Sequence, residues 1–130
     1  MSDEASDADL LNPTARAFVL AREGNAQLLG TYVDGGVPLD ATNDRGDTLL
    51  MLAAYHGNTE AVRVLLDRGA DPNQLTEHGQ SPLAAAVFKN ATDIVKALVA
   101  KGADPETGAP SALEAAQMFG NTGLLTLLQP

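Results

Sequence analysis

The chain has 130 residues, 45% of them hydrophobic, and its 17 acidic and 8 basic residues give a formal net charge of −9. This length and apolar content suit one folded domain. Nucleic acids and acidic membranes bind clustered lysine and arginine, whereas the basic residues here are scattered from Arg16 to Lys101, so we expect neither partner.

The first twelve residues predict an acidic, flexible N-terminal tail. They include Asp3, Glu4, Asp7 and Asp9 and lack the apolar residues that would order them, whereas a secretory signal needs basic and then apolar residues. The chain has no run of about 18 apolar residues that could span a bilayer. It also has no cysteine, which suits a reducing compartment. We therefore expect a cytoplasmic protein with its folded domain at 13–130.

A self-similarity at a spacing of 33 residues organises the rest of the chain. The segment 46–54 recurs at 79–87, and the segment 65–72 recurs at 98–105. A period of this length is typical of stacked helical repeats. Such stacks present extended surfaces for binding rather than enclosed pockets for chemistry.

Extending the register in both directions gives four units, at about 13–43, 44–76, 77–107 and 108–130. We expect two helices in each unit. The first helix should begin after hydroxyl residues that can cap free backbone N–H groups, namely Thr48, Ser81 and Ser111. It should end at residues that tolerate a left-handed backbone, namely Gly24, Gly57, Asn90 and Gly120. The second helix carries an apolar run and should end at Gly36, Gly69 or Gly102. No alternating pattern is long enough for a regular strand, so the predicted fold class is all-α.

The two central units carry a family pattern. The helix-opening sequence T-P-L-H-x-A-A is matched by TLLMLAA at 48–54 and by SPLAAA at 81–86, and both units end in a second helix followed by Gly-Ala-Asp. The chain therefore resembles the ankyrin repeat family, in particular small stand-alone bacterial members. The resemblance implies a helix-turn-helix solenoid of about four repeats with degenerate first and last units that cap the stack. Met51 and Ala84 depart from the pattern, because each replaces the usual histidine.

The residues that could carry chemistry do not assemble into a convincing catalytic or metal site. His56 and His78 could form a metal site with Glu77 or Asp47, but two histidines without a third ligand at a fixed spacing are weak evidence. The serines and threonines have no histidine base in register, and the repeat pattern already explains them as caps. We therefore expect no enzymatic activity, no cofactor and no metal.

The resemblance also implies a binding surface. In the ankyrin family, partners contact the loop tips and the inner side of the first helices, which here includes two columns of residues at 33-residue spacing. Three of the five aromatic residues fall in these columns, whereas Phe18 and Tyr32 fall at packing positions. The predicted partner-binding residues are Arg45, Asp47, Tyr55, His56, His78, Gln80, Phe88, Lys89, Met118 and Phe119. The alternative that Tyr55, Phe88 and Phe119 merely cover the ends of short helices stays open.

Two functions follow as hypotheses. The first is a non-catalytic, monomeric protein-binding module that presents a concave groove to a protein or peptide. The negative charge is explained by solubility, or more sharply by a partner with a basic face. The alternative is a structural or regulatory accessory that self-associates through its C-terminal cap, where Leu124, Leu127 and Leu128 close the stack.

Overall fold

The computed structural model describes residues 12–129. In this range the chain forms eight α-helices, and its only β-type pairing is an isolated bridge between Thr42 and Thr48. The helices are α1 (Pro13–Glu23), α2 (Ala26–Asp34), α3 (Leu49–Tyr55), α4 (Thr59–Asp67), α5 (Pro82–Phe88), α6 (Thr92–Ala100), α7 (Ala112–Met118) and α8 (Thr122–Leu128). The predicted all-α class is confirmed, and each predicted unit contains one helix pair.

The predicted tail lies outside the described residues except for Asn12. This residue is the N-cap of α1, because its side-chain oxygen accepts hydrogen bonds from the backbone N–H groups of Thr14 and Ala15 at 2.9 and 3.4 Å. Asn12 therefore belongs to the first helix as its cap.

The predicted helix starts are confirmed at the atomic level. The hydroxyl oxygens of Thr48, Ser81 and Ser111 accept hydrogen bonds from backbone N–H groups three residues later, at 3.0, 3.0 and 3.1 Å respectively. At α7 the carboxylate of Glu114 accepts a hydrogen bond in return from the backbone N–H of Ser111, which completes a capping box. These hydroxyls are buried, so capping also provides the hydrogen-bond partner that a buried polar group requires.

The predicted left-handed helix ends are confirmed as well. Positive φ angles of 84°, 73°, 53° and 62° occur at Gly24, Gly57, Asn90 and Gly120 respectively. The same register holds in all four units, so the repeat spacing determines where each first helix ends.

The helices pack in two layers. The first helices of neighbouring units (α1, α3, α5 and α7) contact one another in order, and the second helices (α2, α4, α6 and α8) do the same. The core between the layers includes Leu29, Leu49, Leu65, Leu83 and Ile94, all fully buried. Phe18 is also buried and Tyr32 packs against this core, as the sequence predicted.

A buried-edge hydrogen-bond bridge joins the first two units. The side-chain amide of Asn58 donates to the backbone oxygens of Ala21 and Arg22 at 2.8 and 2.9 Å, in the last turn of α1. Carbonyl groups there lack partners within the helix, so Asn58 supplies them. A Cβ atom added at Gly24 would lie 2.9 Å from Asn58 Cγ, so Gly24 provides space for the bridge as well as a left-handed conformation.

Two ion pairs link the second helices at equivalent positions. Arg68 donates to both carboxylate oxygens of Asp34 at 2.9 and 3.1 Å, and Lys101 Nζ lies 3.5 Å from Asp67. The hydrogen bonds from Arg68 hold the pKa of Asp34 below its usual value. Because these pairs are solvent-exposed, each contributes little to stability. None of the helices in residues 12–129 combines the length and hydropathy needed to cross a bilayer.

Candidate partner-binding groove

A groove of about 360 Å³ lies across α3 and α5. Its lining residues are Met51, Tyr55, Gln80, Ala84, Ala85, Phe88, Lys89 and Pro110. Met51, Ala84 and Ala85 are buried members of the two helices, so they form the floor. The two alanines leave open space where longer side chains would fill it.

Two aromatic rings flank this floor. Tyr55 and Phe88 are the last residues of α3 and α5, and they occupy equivalent places in neighbouring units because they are 33 residues apart. Their side chains are far from buried, with relative exposures of 51% for Tyr55 and 48% for Phe88. The groove thus combines an apolar floor with two half-exposed rings.

The next residue of each unit reaches back to the ring of the preceding unit. Lys89 Nζ lies 4.3 Å from the centroid of the Tyr55 ring, within cation–π range. One unit further on, the rings of Phe119 and Phe88 meet edge to face at 5.4 Å. Equivalent positions therefore make equivalent contacts across successive units, so the exposed rings form a connected row.

The comparisons with known proteins agree with this architecture. The family model for ankyrin repeats, in three copies, matches residues 17–109 of the chain. The chain belongs to the ankyrin repeat family. A Pseudomonas aeruginosa protein, PA3287, whose name classes it as an ankyrin repeat protein, is 51% identical over 39 residues. This match covers 30% of the present chain and 23% of PA3287, so it spans less than a quarter of that relative. Ankyrin repeats are generally protein–protein interaction modules and are typically non-catalytic.

The ankyrin stack brings some of the predicted binding residues together. Tyr55, Gln80, Phe88 and Lys89 all line the groove. His56 and Phe119 lie at its margin through ring contacts, since the rings of His56 and Tyr55 meet edge to face at 5.3 Å. That these residues bind a partner stays a prediction.

Other predicted residues lie apart from the groove lining. Met118, 68% exposed, continues the column of Tyr55 and Phe88 but does not line the groove. Arg45, Asp47 and His78 lie in the loops between units and do not line it either. Their placement leaves them available to a partner that covers the loop tips.

The loops around the groove have their backbone fixed by local hydrogen bonds. The backbone N–H groups of Arg45 and Asp47 donate to Asn43 Oδ1 at 2.9 and 3.0 Å. In the next unit, those of His78 and Gln80 donate to Thr76 Oγ1, both at 3.2 Å. These are the side-chain turns expected of asparagine and threonine between repeats. They make the loop tips defined parts of the surface.

The sequence prediction missed four lining residues. Met51, Ala84 and Ala85 were recognised as parts of the helix-opening pattern but not as groove floor, and Pro110 was not considered. The register contained a signal for two of them, since Met51 and Ala84 are 33 residues apart and replace the histidine of the family pattern. Pro110 follows the shortened last connection, where the 33-residue register no longer locates a residue.

The C-terminal end differs from the surface that the self-association hypothesis requires. Leu124 and Leu128 are buried and Leu127 is half-buried against the core. The large exposed apolar side chains near this end are Met118 and Phe119. Among residues 12–129, no group of three or more histidines or carboxylates could hold a metal ion.

Proposed function

We propose that the groove between α3 and α5 binds an extended segment of a partner protein, and that the protein acts by recognition without catalysis. One observation carries this proposal: Tyr55 and Phe88 present half-exposed rings on either side of one apolar groove. Aromatic side chains around a pocket are the usual anchors of protein interfaces, with polar groups at the rim. Gln80 and Lys89 supply such polar groups here.

The exposure of the rings weighs against the alternative that they only cover the helix ends. A ring that serves packing alone buries most of its surface, as Phe18 does with 8% exposed. About half of Tyr55 and Phe88 stays accessible. This remaining surface is what a partner would cover.

The proposal includes a monomeric protein in the cytoplasm that needs no cofactor and binds no nucleic acid. The scattered basic residues and the absence of cysteine support these parts of it. The partner with a basic face remains a proposal that depends on the net charge of the whole chain. Self-association through α8 has less support, because its leucines are buried or half-buried.

Affinity capture tests the proposal. The full chain, a Tyr55→Ala/Phe88→Ala variant and a Leu75→Ala control would be immobilised and exposed to a lysate of the cells that produce the protein. Leu75 suits the control because it is an exposed apolar residue, 40% accessible, that does not line the groove. Bound proteins would be quantified by mass spectrometry, and circular dichroism would verify that all three proteins are folded.

We expect specific proteins to be retained by the unmodified chain and by Leu75→Ala, and to be lost from the double variant. Equal retention by the folded double variant would contradict the proposal, and would place binding on the loop tips or the C-terminal cap.

A further inference from the structure

The groove has a distinctive charge. Among the residues that line it, Lys89 is the one with a charged side chain, although acidic residues outnumber basic ones by 17 to 8 in the whole chain. Within residues 12–129, Arg63, Arg68 and Lys101 each form an ion pair, whereas Lys89 has no carboxylate within 4.0 Å. The positive charge at the groove is therefore not neutralised by the described part of the chain.

The contact with Tyr55 places this charge where it can act on a ligand. The ammonium group lies 4.3 Å from the ring centroid, and both residues line the same groove. An ammonium group over a ring face still has N–H donors available to another partner. A segment seated on the apolar floor would displace water, and lower local polarity strengthens attraction between opposite charges. A cationic group at the same place would be repelled.

We infer that the partner segment, whose binding to this groove rests on the proposed function, carries an Asp or Glu side chain next to its apolar anchor. The apolar side chain contacts Tyr55 and Phe88, and the neighbouring carboxylate pairs with Lys89. This acidic element is local and is compatible with basic residues elsewhere on the same partner.

The surroundings favour a side-chain carboxylate over a chain terminus. Terminal carboxylates are commonly bound by converging backbone N–H groups. The loop N–H groups of His78 and Gln80 already donate to Thr76 Oγ1. The row of rings also continues past Phe88 to Phe119, so an extended segment can continue along the stack.

Selection from random linear peptides displayed on phage tests this inference with the full chain as target. Recovered peptides would be synthesised, each with its acidic residue and with the corresponding amide, and their affinities measured by fluorescence anisotropy. The variants would be Lys89→Gln, Lys89→Arg, Tyr55→Ala/Phe88→Ala and the control Lys96→Gln. Lys96 is a matched control because it is exposed, does not line the groove and has no carboxylate within 4.0 Å in residues 12–129.

We expect recovered peptides to be enriched in Asp or Glu beside an apolar residue. Lys89→Gln should weaken binding roughly tenfold and remove the preference for the acidic peptide over its amide. Lys89→Arg should keep that preference, because arginine also makes cation–π contacts and pairs with carboxylates. Lys96→Gln should change neither quantity.

The outcomes separate the two proposals. Peptides that require Tyr55 and Phe88 but show no acidic preference, or that respond equally to Lys89→Gln and Lys96→Gln, would overturn the inference and leave the proposed function in place. Peptides that bind the Tyr55→Ala/Phe88→Ala variant unchanged would overturn both. Recovery of no peptide would also overturn both, since the groove would then not bind extended segments.

Discussion

The replacement Gly24→Ala should destabilise the protein much more than Gly57→Ala, although both glycines end a first helix in the same left-handed conformation. Their φ angles are 84° and 73°. A Cβ at Gly24 would lie 2.9 Å from two atoms of the Asn58 side chain, whereas a Cβ at Gly57 would meet nothing within 4 Å. The difference arises because the residue equivalent to Asn58 in the next unit is Ala91.

The expected magnitudes follow from these contacts. A left-handed alanine costs about 1–2 kcal/mol of unfolding free energy at either position. At Gly24 the methyl group must also displace Asn58, whose amide donates two hydrogen bonds to the end of α1. At about 1 kcal/mol for each hydrogen bond, the total for Gly24→Ala reaches about 3–4 kcal/mol.

A double-mutant cycle with Asn58→Ala isolates the steric part. Asn58 makes no side-chain cap to its own helix, so its replacement removes mainly the bridge to α1. Once the amide is absent, Gly24→Ala should cost only the left-handed term, close to the cost of Gly57→Ala. Urea unfolding followed by circular dichroism would give the four free energies. Equal costs for Gly24→Ala with and without Asn58, or equal costs at Gly24 and Gly57, would refute this reasoning.

Three further predictions follow from the described contacts. Asp34→Asn should lower the urea midpoint at neutral pH, and the difference from the unmodified protein should narrow below about pH 4. The sign follows because the paired carboxylate has a lowered pKa in the folded state, so its contribution is present above the unfolded pKa and is lost as the pH falls through the folded value. Asn12→Ala should cost about 1 kcal/mol in thermal unfolding through loss of the cap, whereas removal of residues 1–11 should cost little. Tyr55→Ala with Phe88→Ala should preserve the helical signal and cost less than the 3–5 kcal/mol typical of one buried phenylalanine, because half of each ring is exposed.

The repeat register was enough to predict the local structure. Thr48, Ser81 and Ser111 were recognised as caps because a hydroxyl recurs where each first helix begins, and the structure shows their hydrogen bonds. Asn90 was placed at a left-handed helix end for the same reason, and its φ of 53° agrees. These features depend on a few neighbouring residues, so sequence spacing determines them.

Contacts between units were not predictable in the same way. The register placed Lys89 in the column after Phe88, but not its ammonium group over Tyr55, because the direction of a long side chain depends on packing between units. The bridge from Asn58 to α1 likewise depends on how closely two units approach. The register also located His78 at a loop tip without determining whether it lines the groove.

The central claim is that the groove between α3 and α5 is the surface that a partner covers. Amide chemical shifts of the isotope-labelled chain, measured by NMR with and without a purified captured partner, test this most directly. The account predicts that the largest changes occur at Met51, Tyr55, Ala84, Phe88 and Lys89. Changes confined to the second helices or to α8, with the groove residues unaffected, would contradict it.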